Sequence, residues 1–180
     1  MKLLNIFFLA GLLFTIASAK GQLPAQSQVS TNGQFRLNPG EIKALKNPGA
    51  GVNAPGSSNY SAVQEIVVMG DPSKPGVYMI LLKIAANTKI AAHLHPDQRV
   101  ATVVSGTWYF GYGDQFDESK LKQLPKGSIY SEVAGQNHFA MTKDPVIVEI
   151  TGYGPSGVTY VDPANDPSRV DRAKDASRGK

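Results

Sequence analysis

Ala92-His93-Leu94-His95-Pro96-Asp97-Gln98 is the stretch that decides how this 180-residue chain is read. It holds two of the three histidines in the sequence. The third, His138, stands behind the turn Ala134-Gly135-Gln136-Asn137. Side chains at i and i+2 of an extended strand point to the same face. His93 and His95 then project side by side, and a third imidazole arriving from a neighbouring strand completes a three-nitrogen site suited to a transition metal. The plainer alternative is three interior histidines bonded to one another or to water, with no metal.

Outward from that stretch the sequence predicts strand after strand. Ala62 to Met69 is β-rich, and the turn Gly70-Asp71-Pro72-Ser73-Lys74-Pro75-Gly76 follows it. Val77 to Ile84 is a second strand, apolar on both faces in places. Ala85 to Lys89 is a break, and Ile90 leads into the histidines. Val100 to Ser105 and Thr107 to Tyr112 flank Gly106. Alternation places Trp108, Phe110 and Tyr112 on one face and Tyr109 on the other. The polar connection Gln115 to Lys126 contains a segment, Asp117 to Leu124, that could be helical before Pro125 stops it. Ser128 to Glu132, Pro145 to Thr151 and Gly157 to Val161 complete the strands. Many short strands separated by turn signals, with almost no helix, indicate an all-β sandwich or barrel.

The N-terminal third has a different texture. Met1-Lys2, the apolar run Leu3 to Ile16 and the small residues Ala17-Ser18-Ala19 form the pattern of a secretory signal peptide at 1–19, cleaved after Ala19. The run is short for a membrane span, so the expected location is secreted or periplasmic, with no stable membrane insertion. Residues 20–60 are rich in Gly, Pro, Ser, Asn and Gln and are expected to form an irregular arm that lies on the domain or stays loose. One or two helical turns are plausible from Pro39 to Lys46, ended by Asn47-Pro48. The domain itself should occupy 61–163, with a short polar tail at 164–180. The sequence contains no cysteine, which excludes disulfides, thiolate ligands and a cysteine nucleophile. The net charge of +4 comes from scattered basic residues that often neighbour acids, as in Asp171-Arg172-Ala173-Lys174-Asp175, so a nucleic-acid face is not expected.

Two motifs give the chain its resemblance. His93-Leu94-His95-Pro96-Asp97-Gln98-Arg99, closed by Gly106, resembles the first cupin motif. Gly127, Ser128 to Glu132 and Val133-Ala134-Gly135-Gln136-Asn137-His138 resemble the second, with valine in place of its proline. The likeness spans roughly Ala62 to Pro163. It is nearest to small single-domain bacterial cupins of the type-2, RmlC-like kind, which share the Gly-Asp-Pro-Ser-Lys-Pro-Gly turn, the Val104-Ser105-Gly106-Thr107 strand end and the Tyr160-Val161-Asp162-Pro163 exit. The resemblance implies a double-stranded β-helix, or jelly-roll barrel, with His93, His95 and His138 holding one divalent transition metal: iron, manganese, zinc, nickel or copper.

The fourth cupin ligand is usually a glutamate after the histidine pair, where this chain carries Gln98 and Arg99. Gln98 is the candidate for a weak oxygen ligand or a group just behind the ligands. Arg99 is expected to point away or to clamp an anionic ligand. Three neutral imidazoles alone would leave the full charge on the metal, acidify its bound water and attract anions. Trp108, Phe110, Tyr112, Tyr130 and Met141 are candidate pocket-lining residues, or simple core packing. Glu132 is expected to face solvent, and to serve as acid or base only if turned inward. These features favour a metal-dependent small-molecule enzyme, dioxygenase-like or isomerase-like. The alternatives are a non-catalytic periplasmic module that binds a ligand or metal, and a barrel packed shut. A homodimer is implied by the resemblance alone.

Overall fold

The computed structural model describes residues 34–46 and 58–169. The expected signal peptide, most of the arm's other residues and the end of the tail lie outside the described residues. One short helix, α1 (Pro39–Ala44), precedes ten strands. They are β1 (Val63–Met69), β2 (Gly76–Ile84), β3 (Lys89–Leu94), β4 (Arg99–Ser105), β5 (Thr107–Tyr112), β6 (Lys122–Pro125), β7 (Ile129–Glu132), β8 (His138–Met141), β9 (Val146–Gly154) and β10 (Thr159–Tyr160). They form two five-stranded sheets, in the orders β1-β2-β9-β4-β7 and β10-β3-β8-β5-β6. Every pairing is antiparallel. The fold is the double-stranded β-helix that the two motifs imply.

Alternation along the strands builds the core. Tyr78, Ile80, Leu82 and Ile84 on β2, Val146, Val148 and Ile150 on β9, and Ala101 and Val103 on β4 point inward from the first sheet. Ile90, Trp108, Phe110, Leu124 and Ala140 meet them from the second. The first sheet is apolar on its outer face too, because the arm covers part of it. Phe35, Leu37, Ile42 and Leu45 pack on Ile66, Val68, Met79, Leu81, Val104 and Ile147. This second core explains why β2 lacks a clean polar alternation.

The short helix is anchored at both ends. Asn38 accepts from the Gly40 and Glu41 amides, and the Glu41 carboxylate accepts from the Asn38 amide, which completes a capping box. Lys83 on β2 donates from Nζ to the carbonyls of Lys43 (2.7 Å) and Leu45 (2.5 Å), which satisfies acceptors that a helix end otherwise leaves open.

One segment differs from its sequence expectation. Asp117 to Leu124 is not a helix: a single 3-10 turn at Glu118–Lys120 leads into β6. Leu124 pairs opposite Trp108 and is buried beside it, so burial of the leucine on the edge of the second sheet outweighs the local helical tendency. Pro125 is tolerated because β6 is an edge strand.

If the arm is part of the folded unit, Leu45→Ala should cost about 2–4 kcal/mol of stability, the ordinary penalty for emptying a buried leucine site. Denaturant unfolding of the variant and the wild type measures it. An unchanged midpoint would show that the arm contributes nothing to the sheet beneath it.

Candidate metal centre

The β3–β8 ladder sets His93 directly opposite His138, and His95 follows just past the end of β3. All three side chains are buried, at 5%, 1% and 2% exposure. Their ring centroids lie 4.4 Å (His93–His138), 5.0 Å (His93–His95) and 5.2 Å (His95–His138) apart. One ligating atom from each lies within 4.8 Å of the others.

Backbone carbonyls decide which nitrogens face the centre. His93 Nδ1 lies 2.7 Å from the Ala91 carbonyl, His138 Nδ1 lies 3.2 Å from that of Gln136, and His95 Nδ1 is bonded to that of Gly157. A carbonyl can only accept, so each Nδ1 carries the proton and donates it. In the neutral ring Nε2 is then left with a lone pair. His95 Nε2 and His138 Nε2 are buried and have no hydrogen-bond partner. Burial, followed by neighbouring charges, holds His93 down to about 3 and His95 well below its ordinary value, and burial holds His138 below its own against the pull of Glu132. The rings are therefore neutral near pH 7, the form that binds a metal.

One register row of the first sheet completes the site. It runs Tyr78, Gly152, Arg99, Glu132 across β2, β9, β4 and β7. Arg99 and Glu132 are 2% and 4% exposed, and the arginine's Nε donates to Glu132 Oε2 at 2.6 Å, with its terminal nitrogen on the same oxygen. Glu132 Oε2 lies 3.8 Å from both His95 Nε2 and His138 Nε2. Burial alone would raise the carboxyl, but Arg99 and the imidazoles outweigh it and hold Glu132 below the usual range. The same carboxylate keeps Arg99 above its ordinary value against the effect of burial.

On the other side of Arg99, the Tyr78 hydroxyl donates to Asp97 Oδ2 at 2.5 Å, and burial pushes the tyrosine up to about 12. Glu65 on β1 is also buried, and burial pushes it up to about 7 while Arg99 pulls it down. A Cβ on Gly152 would come within 2.5 Å of the Tyr78 oxygen and 2.8 Å of Asp97 Oδ2, so only glycine fits that position in the row.

Several site expectations need correction. Glu132 does not face solvent, and Arg99 does not point away. The turn between β3 and β4 buries Asp97 and leaves Gln98 outside, exposed, with Oε1 accepting weakly from the Ala134 amide at 3.4 Å, and Arg99 opens β4 facing inward. Gln98 thus stands apart from the histidines. Trp108, Phe110 and Tyr130 do line the cavity beside them, together with Leu82, Ile90 and Ala140. Tyr112 lies at the rim, 53% exposed, its hydroxyl donating to the Ser131 carbonyl at 2.8 Å. Met141 pairs with Tyr109, and alternation from inward Ala140 turns it out of the barrel. The cavity measures about 20 Å³, room for an ion or a water-sized group.

The donor set suits a divalent transition metal. Two imidazole lone pairs and a carboxylate oxygen turned toward one another in a buried interior repel, unless a cation or a hydrogen-bond donor lies among them. The carboxylate beside the imidazoles is paired with Arg99, so it changes the charge expected from three imidazoles alone only where that pair opens. Glu132 was legible in principle: it stands two residues from inward Tyr130 on a four-residue strand.

No protein-family model and no curated protein matches the sequence. Solved structures share its fold. An uncharacterised conserved protein with a double-stranded β-helix domain from Klebsiella pneumoniae is 18% identical, over 73% of this chain and 94% of that one, with a TM-score of 0.52. An RmlC-like cupin from Shewanella frigidimarina is 15% identical, over 52% and 78%, at 0.44. The DMSP lyase DddQ from Ruegeria pomeroyi is 14% identical over 55% of this chain, at 0.47, and the match spans about half of the lyase chain, 51%. At 18% identity the likeness to the Klebsiella protein establishes the fold alone, a double-stranded β-helix.

The buried histidines also set a pH dependence. His93 has a folded value near 3 against 6.5 ordinarily, so the unfolded chain binds more protons as pH falls below 6.5. The stability associated with neutral His93 is present above that value and is lost as pH falls toward the folded one. Glu65 acts in the opposite sense: raised from 4.5 to about 7, it adds stability as pH falls through that window. Comparing metal-free wild type with His93→Gln isolates the histidine. Between about pH 7 and about pH 5 the wild-type denaturation midpoint should fall more steeply than the variant's. Parallel profiles would show that His93 is not held neutral in the barrel.

Proposed function

We propose that this protein is an exported, metal-dependent cupin that acts on a small molecule inside the barrel, in a dioxygenase-like or isomerase-like reaction. The observation that carries this reading is the convergence of three imidazoles whose Nδ1 atoms are all tied to backbone carbonyls, with Nε2 left to face a common centre. His93, His95 and His138 would hold one divalent ion of iron, manganese, zinc, nickel or copper. Such an ion supplies Lewis acidity, and a redox-active one also supplies reactivity toward O₂. Export rests on the apolar run Leu3 to Ile16 and the exit Ala17-Ser18-Ala19.

The chain's own residues do the rest. Leu82, Ile90, Trp108, Phe110 and Tyr130 wall the cavity and keep bulk water out, which strengthens every polar interaction within it. Phe110 and Tyr130 close one side with their ring centroids 4.3 Å apart. A reactant larger than water must move part of this wall or react at its rim. The same narrowness favours a second reading, a non-catalytic periplasmic module that holds a metal or small ligand.

Protein purified without chelator should carry about one equivalent of transition metal per chain, lost in His93→Ala and His138→Ala. Failure to take up any of the five ions would overturn the reading. Solvent proton relaxation and oxygen uptake then separate its two forms. Rapidly exchanging metal-bound water together with O₂ consumption supports the enzyme, and a site with neither supports the binding module.

A further inference from the structure

We propose that Glu132 supplies a fourth protein ligand to the metal, delivered from β7, and that Arg99 competes with the metal for that carboxylate and so tunes its affinity. This rests on the three-histidine reading above.

The argument begins with register. Arg99 and Glu132 are Cα partners in the β4–β7 ladder, and both face inward. Gln98, the candidate nearest the histidine pair, is turned out to solvent, so it cannot serve. Glu132 Oε2 stands 3.8 Å from each of His95 Nε2 and His138 Nε2. Donors that each sit about 2.0–2.2 Å from one ion can be at most about 4.4 Å apart, so this separation is compatible with an ion shared with those two histidines. It is too long for a hydrogen bond. A hydrogen bond is also excluded by chemistry, because each Nδ1 holds its ring's proton and both Nε2 atoms are acceptors like the carboxylate. A cation among them, or a water donating to them, makes three such atoms compatible.

Arg99 explains why the carboxylate stands slightly back. The three histidines form the tight ligand group by themselves, and Glu132 lies just outside it. The oxygen nearest the imidazoles, Oε2, is the one that accepts both bonds from Arg99. Arginine and metal therefore draw on the same lone pairs. Asp97 flanks Arg99 as an alternative counter-charge, so the guanidinium keeps a negative neighbour when the Glu132 carboxylate swings toward the ion.

Cobalt(II) tests this without any knowledge of the reaction. Purified protein is loaded with Co(II), its affinity measured by competition with a chelator and its coordination by the visible absorption of the ion. Glu132→Gln should still bind one Co(II), but about 10–100-fold more weakly, with an altered spectrum. Arg99→Met should bind more tightly than wild type, whereas an ion pair of purely structural importance would not raise affinity when broken. If Glu132→Gln fails to fold with Arg99 stranded, the double variant Arg99→Met/Glu132→Gln, which removes both charges, decides in its place and should also bind weakly. Wild-type affinity and spectrum in a Glu132 variant would overturn this inference and leave the three-histidine site standing. Weakened binding in Arg99→Met would overturn the competition. No Co(II) binding by the wild type would remove the three-histidine site itself, and this inference with it.

Discussion

A guanidinium sealed between two apolar sheets must be answered by negative charge, because an uncompensated buried ion costs several kcal/mol. Arg99 is the largest fully buried side chain of the described residues, and the polar end of the barrel is arranged around it. Glu132 meets it across the β4–β7 ladder, and Asp97 approaches from two residues earlier. Tyr78 holds Asp97 in place, and Gly152 gives up a side chain so that this bond fits. The neighbouring inward rows are apolar, with Ile80, Ile150 and Ala101 in one and Leu82, Val148 and Val103 in the next. The barrel thus divides lengthwise into an oily part that supplies stability and a charged part that shapes the site.

The histidines are prepared by the backbone. His93 and His138 each use the carbonyl two residues earlier, at Ala91 and Gln136, as paired neighbours on adjacent strands. His95 instead reaches the Gly157 carbonyl from a distant part of the chain. Each carbonyl fixes the ring's tautomer and its rotation, so the donor atoms are oriented before any ion arrives. Burial adds to this by disfavouring the protonated rings. Donor atoms held by strands and carbonyls need little ordering to meet an ion.

The arm and the edge strand show how the first and second sheets are finished. The first sheet has more apolar surface than the barrel interior can take, and Phe35, Leu37, Ile42 and Leu45 cover the excess. In the second sheet β6 protects Trp108 by pairing Leu124 against it. Both solutions bring residues from apparently polar, turn-rich sequence into contact with the folded core. Elsewhere the first sheet leaves Val77, Val100, Ile129 and Tyr153 exposed.

Local pattern alone determined much of this protein. Strand alternation and turn residues were enough for an all-β sandwich or barrel with His93 and His95 on one face, because the period of two and the cost of breaking it are properties of the chain itself, and the resemblance of the two motifs implied the barrel and the place of His138. Carried on from His93 and His95 through the turn, the same alternation would have turned Gln98 out and Arg99 in. Glu132 was harder to place, because whether a charged residue on a short strand faces water or the interior depends on what sits across the ladder. That partner is Arg99, 33 positions away in sequence. Tyr112 and Met141 show the same limit: both lie on recognisable strands, but the end of the barrel and the face of the sheet decide whether they reach the cavity. Sequence specified which residues could form a site. Only the tertiary structure decided which charges meet there, since a buried charge is stable solely where the fold brings its counter-charge within reach.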